Sequence, residues 1–367
     1  MSSVVIKGLY KKYENGTVAV SNFNAEISSK EFFVILGPSG CGKSTLIRMI
    51  AGLEDITKGS VFIDNSPIQS VPPKNRGVAM VLNNQTLYPN MTVYENLEFS
   101  LKLRKVPKDE IASRIESAVQ LLDIGPILDR KPAALSGGQR CRIAFARAII
   151  QDPKVILMDE PLINLDSKLR ASIRSELKAV HAQIGKTIIY LTKDPAEAAE
   201  LGSRILVMRN GTAQQTGTYE ELCSSPVNVF VAKFIGEQMN ICEAELIAKD
   251  GKLRLRFGEG FVLALPEKTG AAGLMRYSGK KVLMGIRPSD ISLCGEGDET
   301  DGSAIPMTVE NVELMGTHVT LSLTGRGLSL VANSSFATKV KAGESVKILM
   351  NSEKLHLFDS DTERRIN

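Results

Sequence analysis

At 367 residues the chain is longer than a single core ordinarily organises, which points to two domains, each with ample sequence to bury a core of its own. Hydrophobic residues make up 43% and charged residues 23%, a balance that excludes a disordered chain, and a formal charge of +4 argues against a strongly polyanionic partner. Five cysteines, Cys41, Cys141, Cys223, Cys242 and Cys294, are scattered with no CxxC pair, so neither a disulfide framework nor a zinc site is expected and a reducing, cytosolic compartment fits.

In chain order, the opening "MSSVVIKGLYKKYENG" lacks the apolar core of a signal peptide. No apolar run approaches the roughly 18 residues that span a bilayer, so membrane association is expected to go through a partner. "EFFVILG" (31–37) reads as a short buried strand stopped by glycine, and "KSTLIRMIAGL" (43–53) follows with helical spacing. "DEIASRIESAVQLLDIG" sets Ile111, Ile115, Val119 and Leu122 on one helical face and predicts a helical insertion over about 86–150. "KVILMDE" (154–160), "KTIIYLT" (186–192) and "SRILVMRNG" (203–211) are further short apolar runs. Strands separated by helices imply an α/β fold with a mostly parallel sheet covered on both faces. After about residue 235 the pattern changes to alternating apolar and polar positions between Gly, Asp and Ser turns, which predicts a small antiparallel, barrel-like β-domain over 236–367.

The chemistry begins at "GPSGCGKST", residues Gly37, Pro38, Ser39, Gly40, Cys41, Gly42, Lys43, Ser44 and Thr45. It fits GxxxxGK[ST] between an expected strand and an expected helix, the context in which such a loop binds the phosphates of a nucleotide. Glycines let backbone N–H groups wrap phosphate oxygens, the helix N-terminus favours negative charge, Lys43 reaches the outer phosphates and Ser44 can bind magnesium. A second element is the strand ending in Asp159 and Glu160. Asp159 suits the magnesium shell, and Glu160 is placed to orient or deprotonate an attacking water. The third is "LSGGQ" (135–139), where Ser136, Gly137 and Gly138 expose backbone donors ahead of a helix with Gln139 beside them, a further phosphate site.

Together, in this order, the three motifs resemble the ATP-binding-cassette ATPases, for which LSGGQ is the signature. The resemblance implies a P-loop NTPase fold with ATP and Mg2+ as ligands, and a dimer in which the signature of one subunit closes over the P-loop of the other. It extends over the whole chain. Tyr13 falls where the family stacks an aromatic on adenine, and Asp166 in "LINLD" matches the usual aspartate after the catalytic acid. "TLYPNMTVYENLEFSLKL" (86–103) is similar to the segment that docks on the membrane subunit of importers, and "GIRPSDI" (285–291) is similar to a stretch of the maltose and glycerol-phosphate importer ATPases. That branch carries a C-terminal OB-like regulatory domain, which implies a cassette over 1–235 and a regulatory domain over 236–367.

Two positions depart from the family pattern. Its glutamine before the docking segment is Asn83 in "VLN", with Gln85 two residues on and able to substitute only if the loop rearranges. Its histidine facing the γ-phosphate is Lys193 in "LTKD". A lysine cannot accept a hydrogen bond, whereas a neutral imidazole donates and accepts at once; Lys193 could attract the γ-phosphate or pair with Glu160. Cys141 and Ile163 are lesser changes.

The expected function is an ATP-binding and ATP-hydrolysing subunit that energises import of a solute, a sugar or a polyol phosphate, at the cytoplasmic face of the membrane. Glu160, Lys193 and Asn83 are its candidate catalytic residues, and hydrolysis in its own site is expected to be impaired. The implied partners are integral-membrane permease subunits, an extracytoplasmic solute-binding protein, and either a second copy or another cassette subunit. The alternatives are a hydrolysis-poor regulatory scaffold and a nucleic-acid-associated cassette ATPase. The modest charge and a β-domain without dense Arg/Lys and aromatic interleaving disfavour the latter.

Overall fold

The computed structural model describes residues 3–83, 86–249, 252–258, 260–266, 271–294, 304–315, 318–335 and 340–367. Contacts divide the chain into two compact units, Met1–Glu220 and Glu221–Asn367.

The first unit opens with β1 (Val4–Lys12), β2 (Val18–Ile27), β3 (Phe32–Leu36), α1 (Lys43–Ala51), β4 (Lys58–Ile63), β5 (Ser66–Pro67) and β6 (Val78–Val81). A helical block of α2 (Val93–Leu103), α3 (Lys108–Leu122) and α4 (Gly137–Ile149) follows. The chain then alternates through β7 (Val155–Asp159), α5 (Ser167–Ile184), β8 (Thr187–Thr192), α6 (Pro195–Leu201), β9 (Arg204–Arg209) and β10 (Thr212–Gly217). Two sheets result: a six-stranded one in the order β10-β9-β3-β8-β7-β6, and a four-stranded one in the order β2-β1-β4-β5. In the larger sheet every pairing is parallel except that of β10 with β9. The expected parallel sheet is therefore present.

Every residue of β3, β7 and β8 is buried, as strands covered on both faces must be. One core joins Val4, Ile6 and Phe23 of the antiparallel sheet, Leu46 and Ile50 of α1, and Ile35, Leu157 and Ile189 of the parallel sheet. In register, Leu36 lies beside Thr192, and Asp159 beside Leu191. The carboxyl ends of β3, β7 and β8 thus converge at one edge, where open α/β sheets bind ligands.

The expected helical insertion stands between β6 and β7. The buried face of α3 is Ile111, Ile115, Ala118 and Leu122; Val119, which periodicity also placed there, is half-buried. Helix α2 starts at a capping box: Thr92 Oγ1 accepts from the Glu95 N–H, and a Glu95 carboxylate oxygen accepts from the Thr92 N–H.

The second unit takes in α7 (Tyr219–Ser224) from Glu221 onward, then α8 (Val229–Phe234), β11 (Asn240–Lys249), β12 (Lys252–Arg256), β13 (Val262–Ala264), α9 (Ala271–Leu274), β14 (Lys280–Ile286) and β15 (Ile291–Leu293). It ends with β16 (Ile305–Met315), β17 (His318–Gly325), β18 (Leu328–Ser335), β19 (Ser345–Met350) and β20 (His356–Asp359). Its two five-stranded sheets, β13-β12-β11-β14-β20 and β15-β19-β16-β17-β18, share one core that includes Leu246, Leu255, Met284, Ile305, Leu321 and Leu357. The contact boundary precedes the change of sequence pattern near 235. The reason is α8, helical in pattern, whose Val229 and Ala232 are buried against Met239 and Phe358.

His356, at the start of β20, is 8% exposed. Burial, and then the positive charges of Arg365, Arg287 and Lys354, push its pKa down to about 4. An unfolded histidine binds its proton near pH 6.5, so between these values the folded chain holds fewer protons and loses stability as pH falls. Between about pH 7.5 and 4.5, His356→Gln should lose less stability than the wild type, by roughly 2 to 3 kcal/mol. Denaturant unfolding at the two pH values checks this, and equal losses would refute the assignment.

Candidate functional site

The loop between β3 and α1 is shaped by glycines with no room for a side chain. Gly42 has φ 103°, and a Cβ there would lie 2.2 Å from the Ala19 carbonyl oxygen; at Gly37 it would lie 2.4 Å from that of Met208. Lys43, 3% exposed, donates through Nζ to the carbonyls of Gly37 (2.8 Å) and Pro38 (3.0 Å). The same ammonium lies 3.3 Å from Glu160 Oε1. Ser44 Oγ donates to Asp159 Oδ1 at 3.0 Å, and burial raises the Asp159 pKa against the lowering effect of that bond. A buried cation, a hydroxyl–carboxylate pair and a second carboxylate are thus gathered at the edge where the strands end. A phosphate chain with its magnesium fits this set. Ser44 and Asp159 offer hard oxygen ligands, and Mg2+ ordinarily completes its shell with phosphate oxygens and water. Among the described residues no group of three or more His, Cys, Asp or Glu forms a cage for a metal by itself.

Tyr13, expected against adenine, is half-buried; its hydroxyl lies 3.2 Å from Thr45 Oγ1, and the Lys11 ammonium sits 4.9 Å from its ring centroid. Lys193 is exposed at the end of β8 and shares with Glu160 the lining of a cavity of about 130 Å³. The ion pair that Glu160 makes is with Lys43; among the described residues none joins it to Lys193. Asn83 is exposed in the turn after β6, its carbonyl accepting from Asn164 Nδ2 at 3.3 Å, and Gln85 lies outside the described residues.

The LSGGQ residues form a second group. Ser136 caps α4: its Oγ accepts from the Gln139 N–H, and Gln139 Oε1 accepts from the Ser136 N–H. A Cβ on Gly137 or Gly138 would meet Leu165 at 2.7 Å or Leu169 at 2.9 Å, so the glycines permit close packing on the LINLD loop and the first turn of α5. Asp166 caps α5 by accepting from the Leu169 N–H at 2.9 Å. Cys141 and Ile163 fall on either side of this arrangement, Cys141 buried in α4 and Ile163 lining the cavity with Lys193. Among the described residues, no hydrogen bond or ion pair joins the LSGGQ residues to the P-loop.

Sequence reasoning missed the support under Lys193. Glu197, 4% exposed, accepts from Thr192 Oγ1 (2.6 Å) and the Tyr190 hydroxyl (3.0 Å), with Arg170 Nε 3.8 Å away. Thr192 Oγ1 in turn accepts from the Asp194 N–H, fixing the bend that presents Lys193. Burial raises the Glu197 pKa. The available signal is a glutamate on the same face of α6 as Ala198 and Leu201, a position that burial tolerates only with partners. Glu197→Ala leaves two interior O–H donors without their acceptor and should cost roughly 3 kcal/mol in denaturant unfolding; a change below about 1 kcal/mol would contradict it.

Comparisons with known proteins agree with this geometry. Residues 20–163 match the family described as "ABC transporter", 238–291 the "MalK OB fold domain" and 284–358 the "TOBE domain". The chain is 42% identical to the oligosaccharides import ATP-binding protein MsmX of Bacillus subtilis, over 100% of both chains. It is 40% identical to the trehalose/maltose import ATP-binding protein MalK of Thermococcus litoralis, again over 100% of both. Among solved structures, cbiO1 from Clostridium perfringens, part of an ABC transporter complex, aligns with TM-score 0.56 and 29% identity over 60% of this chain and 90% of that one. A dimeric ATP-binding cassette in a post-hydrolysis state with ADP and Pi aligns with TM-score 0.52 and 32% identity over 59% of this chain and 98% of that one. With relatives of this identity along its full length and a nucleotide-binding loop built as described, the chain belongs to the family of ABC transporter ATP-binding proteins.

Proposed function

We propose that the chain is the ATP-hydrolysing subunit of an importer for a sugar or polyol phosphate, working at the cytoplasmic face of the membrane and turning over slowly in its own site. The observation that carries the reading is the convergence of Lys43, Ser44, Asp159 and Glu160 at one sheet edge. The import of oligosaccharides, trehalose/maltose and sn-glycerol 3-phosphate named for its relatives supports the substrate class. In this reading Lys43 holds the outer phosphates, Ser44 and Asp159 hold magnesium, and Glu160 positions the attacking water. Ser136, Gly137, Gly138, Gln139 and Asp166 serve the nucleotide of a second subunit, either another copy or a different cassette. The lack of any bond between the two groups among the described residues suits that division. Residues 1–235 form the cassette portion and 236–367 the regulatory portion.

The permease-docking role of residues 86–103 is supported by a stiff surface. Asn96, fully buried, donates to the carbonyls of Tyr88, Met91 and Thr92 and accepts from the Tyr88 N–H, holding the loop in one shape. Tyr88 and Tyr94 are exposed on that segment, at 42% and 36%.

Slow turnover rests on Lys193. It lines the Glu160 cavity but cannot accept a hydrogen bond from water, which an imidazole there would do. Co-expression with sugar-importer permease subunits, followed by reconstitution, tests the whole reading. ATP-dependent accumulation of a labelled sugar or polyol phosphate supports it. An assembled complex that binds ATP but never drives uptake favours the scaffold reading instead.

A further inference from the structure

The second unit contains a cavity of about 680 Å³, within the size range of small-molecule sites. Its wall carries three cations, Arg287, Lys354 and Arg365, with the carboxylates of Asp290 and Glu353. Among the described residues none of the three cations lies within ion-pair distance of a carboxylate. Arg287 donates instead to the carbonyls of Cys223, Ile235 and Glu237, and Arg365 to the carbonyl of Ser224 and the side chain of Asn367. Carbonyls satisfy N–H groups without neutralising charge, so the cavity keeps a positive field. At its inner wall sits His356, more than nine-tenths buried, whose Nδ1 has no hydrogen-bond partner among the described residues.

Three cations and two carboxylates that share one cavity wall without pairing directly suit a ligand carrying both an anionic group and hydroxyl donors. We propose that this cavity binds a small phosphorylated polyhydroxy compound of hexose-phosphate size. Its phosphate is held by Lys354, Arg365 and Arg287, and its hydroxyls by Asp290 and Glu353. The carboxylates of Asp290 and Glu353 repel a bare inorganic anion but accept from the several hydroxyls of a polyol, which favours a ligand that carries both. The lining has no aromatic face other than the imidazole, which disfavours a nucleobase. The low pKa of His356, set first by burial, agrees with the field, since Arg365, Arg287 and Lys354 also hold its proton off.

The proposal does not rest on the ATPase reading, and its test keeps the two apart. The full chain, as wild type and as Lys43→Ala, is titrated calorimetrically with glucose 6-phosphate, glucose and inorganic phosphate. Lys354, exposed and with no side-chain hydrogen bond among the described residues, is replaced in Lys354→Gln, and its thermal midpoint is measured to establish that the fold is kept. The expected result is saturable binding of glucose 6-phosphate, unchanged by Lys43→Ala, weakened about tenfold or more by Lys354→Gln, and tighter than either fragment. Absence of binding up to about 1 mM, equal affinity for inorganic phosphate or glucose alone, loss of binding in Lys43→Ala, or indifference to Lys354→Gln would each overturn it.

Discussion

Lys43→Ala should weaken ATP binding by at least about 100-fold and remove turnover with it. The ammonium is 3% exposed and anchored by two loop carbonyls, so it meets a phosphate oxygen without first being ordered. Charge-assisted hydrogen bonds of this kind contribute about 1.5 to 3 kcal/mol each, and losing two to the phosphates amounts to about 100-fold or more. Calorimetry with a non-hydrolysable ATP analogue and magnesium reads the effect, with thermal unfolding to verify that the loop still folds. Affinity retained within about tenfold would mean that the phosphates lie elsewhere.

Glu160→Gln separates binding from chemistry. The carboxylate lies 3.3 Å from the Lys43 ammonium, so it competes with phosphate for that cation. Removing its charge should leave ATP affinity unchanged or tighter while turnover falls by about 100-fold or more, because an amide cannot take a proton from water. Parallel measurement of analogue binding and phosphate release checks both halves. A variant that loses binding along with turnover would recast Glu160 as part of the phosphate cradle.

The nucleotide loop was legible because its residues are contiguous and their spacing is itself the mechanism: Gly37 and Gly42 occupy positions where a Cβ would strike the backbone. Asp159 and Glu160 were legible for the same local reason, at the end of a wholly buried strand. The antiparallel sheet was not, since β1 and β2 pair through several register shifts that break the period-two pattern on which strand reading depends. Nor could sequence choose the partner of Glu160, which pairs with Lys43 and not Lys193. Glu197 was missed because its burial follows from pairing across β8, α5 and α6, which no local spacing encodes.

With Lys193 standing where a hydrogen-bond acceptor is needed, the site should bind ATP yet hydrolyse it slowly. Magnesium-dependent ATP turnover of the purified chain, measured side by side with Lys193→His, tests it most directly. The expected result is a low wild-type rate that rises about 100-fold in the histidine variant, with ATP affinity little changed. A wild-type rate already matched by that of the variant would contradict it.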